Sequence, residues 1–93
     1  MGSTVINGNF EWDFDKAASN LVKHGVSFEE AATVFADPHA CEVDDGNAAD
    51  RLATIGYSAA SRIILVVFVD VGARDRIIGA RKATPAECAL YRG

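Results

Sequence analysis

Apolar and polar positions alternate around Glu11, with Phe10 and Trp12 on either side, and predict a short strand over residues 9–13. The period then lengthens. Phe14, Ala17, Ala18 and Leu21 fall on one helical face. Asp13 or Asp15 can cap that helix, Lys23 and His24 occupy its last turn, and Gly25 follows. A second helix opens at Ser27, where Ser27-Phe28-Glu29-Glu30 reads as a capping box with Glu30 reaching back to the Ser27 amide. Its apolar face is Phe28, Ala31, Ala32 and Phe35, and Asp37-Pro38 stops it. Only Gly25 and Val26 separate the two helices, so they form a tight corner.

An acidic, turn-rich stretch follows, with Asp44-Asp45-Gly46-Asn47 read as an exposed loop. Three strands come next. Residues 51–57 alternate, with Ala53, Ile55 and Tyr57 on one face. Residues 63–69 are apolar on both faces, the pattern of a central strand covered from two sides. Residues 75–81 form the third, and the short links between strands suit antiparallel hairpins. Thr84 caps a last helix, with Pro85 at its first position and Glu87 completing a capping box. The order is strand, helix, helix, three strands, helix. It predicts one α+β domain over residues 1–93, a small antiparallel sheet with helices packed against it. Residues 1–9 are small and polar, and are read as flexible or partly added sequence.

Composition narrows the class. The 93 residues are 49% hydrophobic and 24% charged, as in a globular domain. The longest apolar run, Ile63 to Val69, is far short of the roughly 20 residues of a membrane helix. No signal segment is read at the start, so Cys41 and Cys88 are expected to be reduced fillers in a cytoplasmic protein. No His or Cys pair has metal-ligand spacing, and no phosphate-binding glycine loop occurs, so neither metal nor cofactor is expected.

Charge changes the picture more. The net charge is −4, but residues 1–50 hold ten acidic and two basic side chains, whereas residues 51–93 hold seven basic and three acidic ones. A basic half can attract a polyanion even in an acidic protein, because screening confines each charge to about 8 Å in physiological salt. No helix reads as a basic recognition helix, which argues against a standalone DNA reader.

The segments FEWDFDKAASNLVKHGVSFEEAATVFADP, RLATIG and RIIGARKATPAECALY together resemble the BrnT toxins of bacterial type II toxin–antitoxin systems, from about Phe10 to Tyr91. The resemblance implies a RelE-like fold, metal-free endoribonuclease activity and growth inhibition by RNA cleavage. It also implies a BrnA-type antitoxin that carries the DNA-binding region, so that DNA is met only through the partner, in a dimer or a toxin–antitoxin hetero-oligomer. The family commonly has Ser before Ala80, where this chain has Gly79.

Such chemistry uses the RNA 2′-hydroxyl as nucleophile, with one group to take its proton, another to protonate the leaving oxygen, and cations for the phosphate charge. Arg51, Arg76 and Arg81 are the phosphate candidates, because a guanidinium stays ionised and matches two phosphate oxygens. Arg76 and Arg81 are five apart and would face opposite ways in a regular strand. A bulge at Gly79 would let them converge in one pocket. Proton carriers are sought among His24, Lys23, Glu87 and Tyr91. His24 is favoured because the intrinsic pKa of histidine lies near 6.5 and the family carries the same KHG unit. Lys23, Lys82 and Tyr91 are candidate substrate contacts, with Lys16 extending a cationic stripe and Tyr91 able to stack a base or pack in the core. The alternative reading is a catalytically inactive, BrnT-like interaction module that binds a protein partner.

Overall fold

A computed structural model of the protein describes residues 3–44 and 50–93. The elements are β1 (Thr4–Asn7), β2 (Phe10–Asp13), α1 (Phe14–His24), α2 (Phe28–Thr33) with a 3-10 turn over Val34–Ala36, β3 (Cys41–Val43), β4 (Leu52–Tyr57), β5 (Ile63–Asp70), β6 (Asp75–Lys82) and α3 (Pro85–Arg92). They form one six-stranded sheet in the order β1-β2-β6-β5-β4-β3. The expected α+β architecture is present, with two further edge strands. β1 pairs with β2 through a two-residue link in which Gly8 has φ 57°. β3 pairs with β4. The sheet is not wholly antiparallel, because β2 runs parallel to β6 at Phe10↔Asp75 and Glu11↔Arg76. The turn expected over 44–47 lies outside the described residues except for Asp44.

β5 is central, and its two faces feed two cores. Ile64 and Val66 join Trp12, Val26, Phe28, Ala31, Val34, Ile77 and Ala80 beneath α1 and α2. Leu65 joins Ala53 and Ile55 on the opposite face, where Tyr91 of α3 packs. The strand that reads apolar on both sides is therefore the one covered by helices on both sides.

Caps fix where the helices begin. The Asp13 carboxylate accepts from the Lys16 amide at 2.9 Å, and Thr84 and Glu87 form the full reciprocal box. At α2 only half the expected box forms. Ser27 Oγ accepts from the Glu30 amide at 3.0 Å. The Glu30 carboxylate turns away from the Ser27 amide and accepts instead from Ser58 Oγ at 2.6 Å and Arg62 Nε at 2.7 Å. Arg62 also donates to the Gly25 carbonyl at 2.6 Å, so one ion pair ties the β4–β5 hairpin to the α1–α2 corner. A charged partner outweighs one exposed amide, because charge-assisted hydrogen bonds are roughly twice as strong as neutral ones.

β6 carries a register shift. Val67 pairs with Gly79 and Phe68 with Ile77, which leaves Ile78 as the extra residue. The irregularity thus falls beside Gly79, where the sequence places it. Beyond Arg76 no strand among the described residues lies on the outer edge of β6. The Asn20 side chain of α1 fills part of that edge, donating to the Ala80 and Val26 carbonyls at 2.9 Å and accepting from the Ala80 amide.

Candidate nucleic-acid interface

The bulge brings Arg76 and Arg81 to one face, as the sequence argument requires. Arg81 pairs with Leu65, and Arg76 with Val69, on the side of the sheet that carries α3. It does not bring them together. Leu65 and Val69 are four residues apart, roughly 13 Å along a strand. Arg51 is exposed, precedes β4 by one residue, and lines neither of the two pockets described below. The expected convergence of three guanidinium groups on one phosphodiester is therefore corrected: a bulge restores parity but cannot shorten the strand.

Both strand arginines are also already paired. Arg76 is bonded to the Glu11 carboxylate, which Arg74 approaches at 3.8 Å. Arg81 makes a two-pronged contact with Glu87 at 2.7 and 2.9 Å. The hydrogen bond from Arg81 holds the Glu87 carboxyl below the usual carboxylate range. Glu87 is thus a poor proton acceptor, occupied on both oxygens. A pocket of about 270 Å³ lies beside this pair, floored by Leu65 and Val67. Asp44 and Glu87 also line it, so its formal charge is negative despite Arg81.

Tyr91 is not free to stack on a base. Its hydroxyl donates to Asp37 Oδ2 at 2.6 Å, and its ring meets Tyr57 edge-on at 5.8 Å. That bond pushes the phenol pKa up to about 12 and lowers that of Asp37. Asp37 also accepts from the Tyr57 and His39 amides, each at 2.9 Å. This cluster pins α3 to the turn after α2.

A different group of candidates does meet. Lys16, Ser19, Asn20, Lys23 and His24 of α1 line a pocket of about 310 Å³ with Ile78 and Gly79 of β6. Lys16 and Lys23 are two turns apart on a helix, and Asn20 between them holds α1 against the bulged edge. Among the described residues no carboxylate lines this pocket. Alternation along β6 puts Lys82 on the face of Ile64 and Ala80, opposite Arg81 and on the side of α1. Among the described lining residues, the formal charge is thus positive at the α1–β6 edge and negative at the Arg81 pocket. The sequence named His24 and Lys23 but not the pocket they share with Lys16. It gave Arg76 no partner, since Glu11 lies 65 residues away, and took Glu87, six residues from Arg81, as a helix cap or proton carrier.

The chain is a small mixed sheet with helices on both faces and a cationic pocket at one strand edge. Comparison with known proteins places the chain more closely. Residues 12–87 match the family described as ribonuclease toxin, BrnT, of type II toxin-antitoxin system, and the chain belongs to that family. A crystal structure of the Brucella abortus ribonuclease toxin BrnT aligns with a TM-score of 0.63 and 32% identity, covering 78% of this chain and 92% of that one. No curated protein matches the chain. As a member of the family it is a type II toxin-antitoxin toxin, with RNA as target and an antitoxin as partner. No helix among the described residues is long and apolar enough to cross a membrane.

Proposed function

We propose that this chain is an endoribonuclease that cuts RNA without a metal ion at the edge between α1 and β6, and that a BrnA-type antitoxin silences it. The observation that carries this reading is the Lys16–Lys23–His24 pocket beside the bulge, cationic and lined by no carboxylate among the described residues. Lys16 and Lys23 would hold the non-bridging oxygens of the scissile phosphate, and Lys82 an adjacent phosphate. His24 would take the proton from the 2′-hydroxyl. That oxygen then bonds to phosphorus, the bond from phosphorus to the 5′-oxygen breaks, and the leaving oxygen takes a proton from an ammonium group or water. The products are a 2′,3′-cyclic phosphate and a 5′-hydroxyl. Arg81, held by Glu87, would serve an outlying phosphate or the fold.

The test is cleavage of single-stranded RNA in EDTA by wild type, His24→Gln, Lys23→Ala and Arg81→Ala. General-base loss typically costs 10²–10⁴-fold, so His24→Gln should fall by at least 100-fold, and Lys23→Ala by about tenfold. Loss of cutting in EDTA overturns metal independence. Equal activity of wild type and His24→Gln overturns the site.

A second reading, a silent interaction module, draws on the pairing of Arg76 and Arg81 with carboxylates. It requires antitoxin binding without growth arrest. Arrest on expression that depends on Lys23 and His24 rejects it.

A further inference from the structure

α1 contains no buried residue, although it is amphipathic. Phe14 is 60% exposed, Leu21 50% and Val22 90%. A groove of about 260 Å³ runs along this stripe, lined by Phe14, Ala17, Ala18 and Leu21 from α1 and by Phe28 and Glu29 from the start of α2. At 3.6 residues per turn, Phe14 and Lys23 lie about 180° apart around the helix. The apolar groove and the cationic pocket thus occupy opposite flanks of one helix.

We propose that this groove is the seat of the antitoxin, and that it takes an amphipathic helix with an apolar stripe and a basic flank. The proposal rests on the toxin reading for the existence of the partner. The stripe supplies its shape. Phe14 and Leu21 are seven residues apart, about 10 Å along the helix, and small Ala17 and Ala18 lie between them, so an incoming helix can seat anchors spaced i, i+3 or i+4, and i+7. Charge supplies its sign. Among the described residues Glu29 is the sole charged one lining the groove, and Asp15 is exposed in the first turn of α1. A second copy of this chain fits less well. Eleven residues span about 16 Å, and one helix width of about 10 Å gives a footprint near 160 Å². A stable dimer needs about 800 Å² per partner. A longer antitoxin chain can bury the remainder elsewhere.

Docking here leaves the cationic pocket's own residues untouched, so binding and cleavage are separable by mutation. The probe is the full-length product of the open reading frame neighbouring the toxin gene, titrated into the full-length toxin. Phe14→Ser, Leu21→Ser and Ala18→Glu, the last at an exposed position lining the groove, should each raise the Kd, by roughly tenfold or more for the first two. RNA cleavage without antitoxin should stay within about twofold of wild type for all three. Glu29→Lys should slow association at low salt and not at high salt. Undiminished binding by Phe14→Ser and Leu21→Ser overturns the groove. If those variants melt early, unchanged binding by Ala18→Glu, at an exposed position in the groove, overturns it instead. Failure of wild type to bind overturns groove and partner together. Loss of binding in the variants of a protein that cuts no RNA upholds the groove and rejects the nuclease.

Discussion

Glu30 and Asp37 each fasten a distant loop with one carboxylate. The Glu30 side chain is 12% exposed and holds Ser58 and Arg62. The hydrogen bond from Arg62 lowers its pKa below the ordinary 4.5, against the opposing effect of burial. A carboxyl whose pKa falls on folding contributes stability that is complete above its unfolded value and is lost as pH drops through the folded one. Asp75 acts the other way, since burial raises its pKa. The urea midpoint of the wild type should therefore decline below about pH 4.5, net of Asp75. Glu30→Gln should start lower at pH 7, by roughly 1–3 kcal/mol, towards the smaller figure because Arg62 remains 32% exposed. It should also decline less steeply with acid. Equal slopes would place the acid sensitivity elsewhere. Tyr91→Phe makes a sharper test. It keeps the edge-on ring contact with Tyr57 and removes only the hydroxyl bonded to Asp37. The expected outcome is a lower urea midpoint with RNA cleavage within twofold of wild type. A tenfold loss of cleavage would return Tyr91 to the chemistry.

At the scale of elements, two strand glycines make opposite demands. A Cβ at Gly56 of β4 would lie 2.8 Å from Val34 Cγ1, 3.1 Å from Ala40 Cβ and 3.2 Å from Asp37 Oδ2. Gly56→Ala should cost about 1–3 kcal/mol in chemical denaturation, as overpacking does. A Cβ at Gly79 meets nothing within 4 Å. Gly79→Ser should leave stability within about 0.5 kcal/mol. The elements themselves were largely legible. Helix caps are local, so Asp13, Ser27 and Thr84 announced three starts. The doubly apolar run marked β5 as central. β1 had a signal that small polar residues masked: Asn7-Gly8-Asn9 is a hairpin turn, and Val5 and Ile6 beside it suffice for an edge strand. β3 has three residues, too few for any period to register. For the proposed site, residue type alone singles out His24, Lys23 and Lys82, whereas the Glu11 partner of Arg76, 65 residues away, depends on tertiary pairing that spacing does not encode.

For the whole molecule the deciding quantity is where charge sits, since a net charge of −4 by itself repels RNA. Much of the basic half is neutralised locally: Arg62 by Glu30, Arg74 and Arg76 by Glu11, and Arg81 by Glu87. The cations that line or flank the carboxylate-free pocket are Lys16, Lys23 and Lys82, two of them from the acidic half of the sequence. Three lysines neutralising three phosphates release their counterions, and log K for single-stranded RNA should then fall with log salt with a slope near −2, about −0.7 for each contact. Lys23→Ala should reduce that slope by about 0.7 and weaken binding equally for RNAs of different sequence. Arg76→Ala should leave the slope alone, because its guanidinium already answers to Glu11. Slopes measured by fluorescence anisotropy between 50 and 300 mM salt decide between the two faces. If Arg81→Ala and Arg76→Ala flatten the line while Lys23→Ala does not, RNA lies on the α3 side of the sheet.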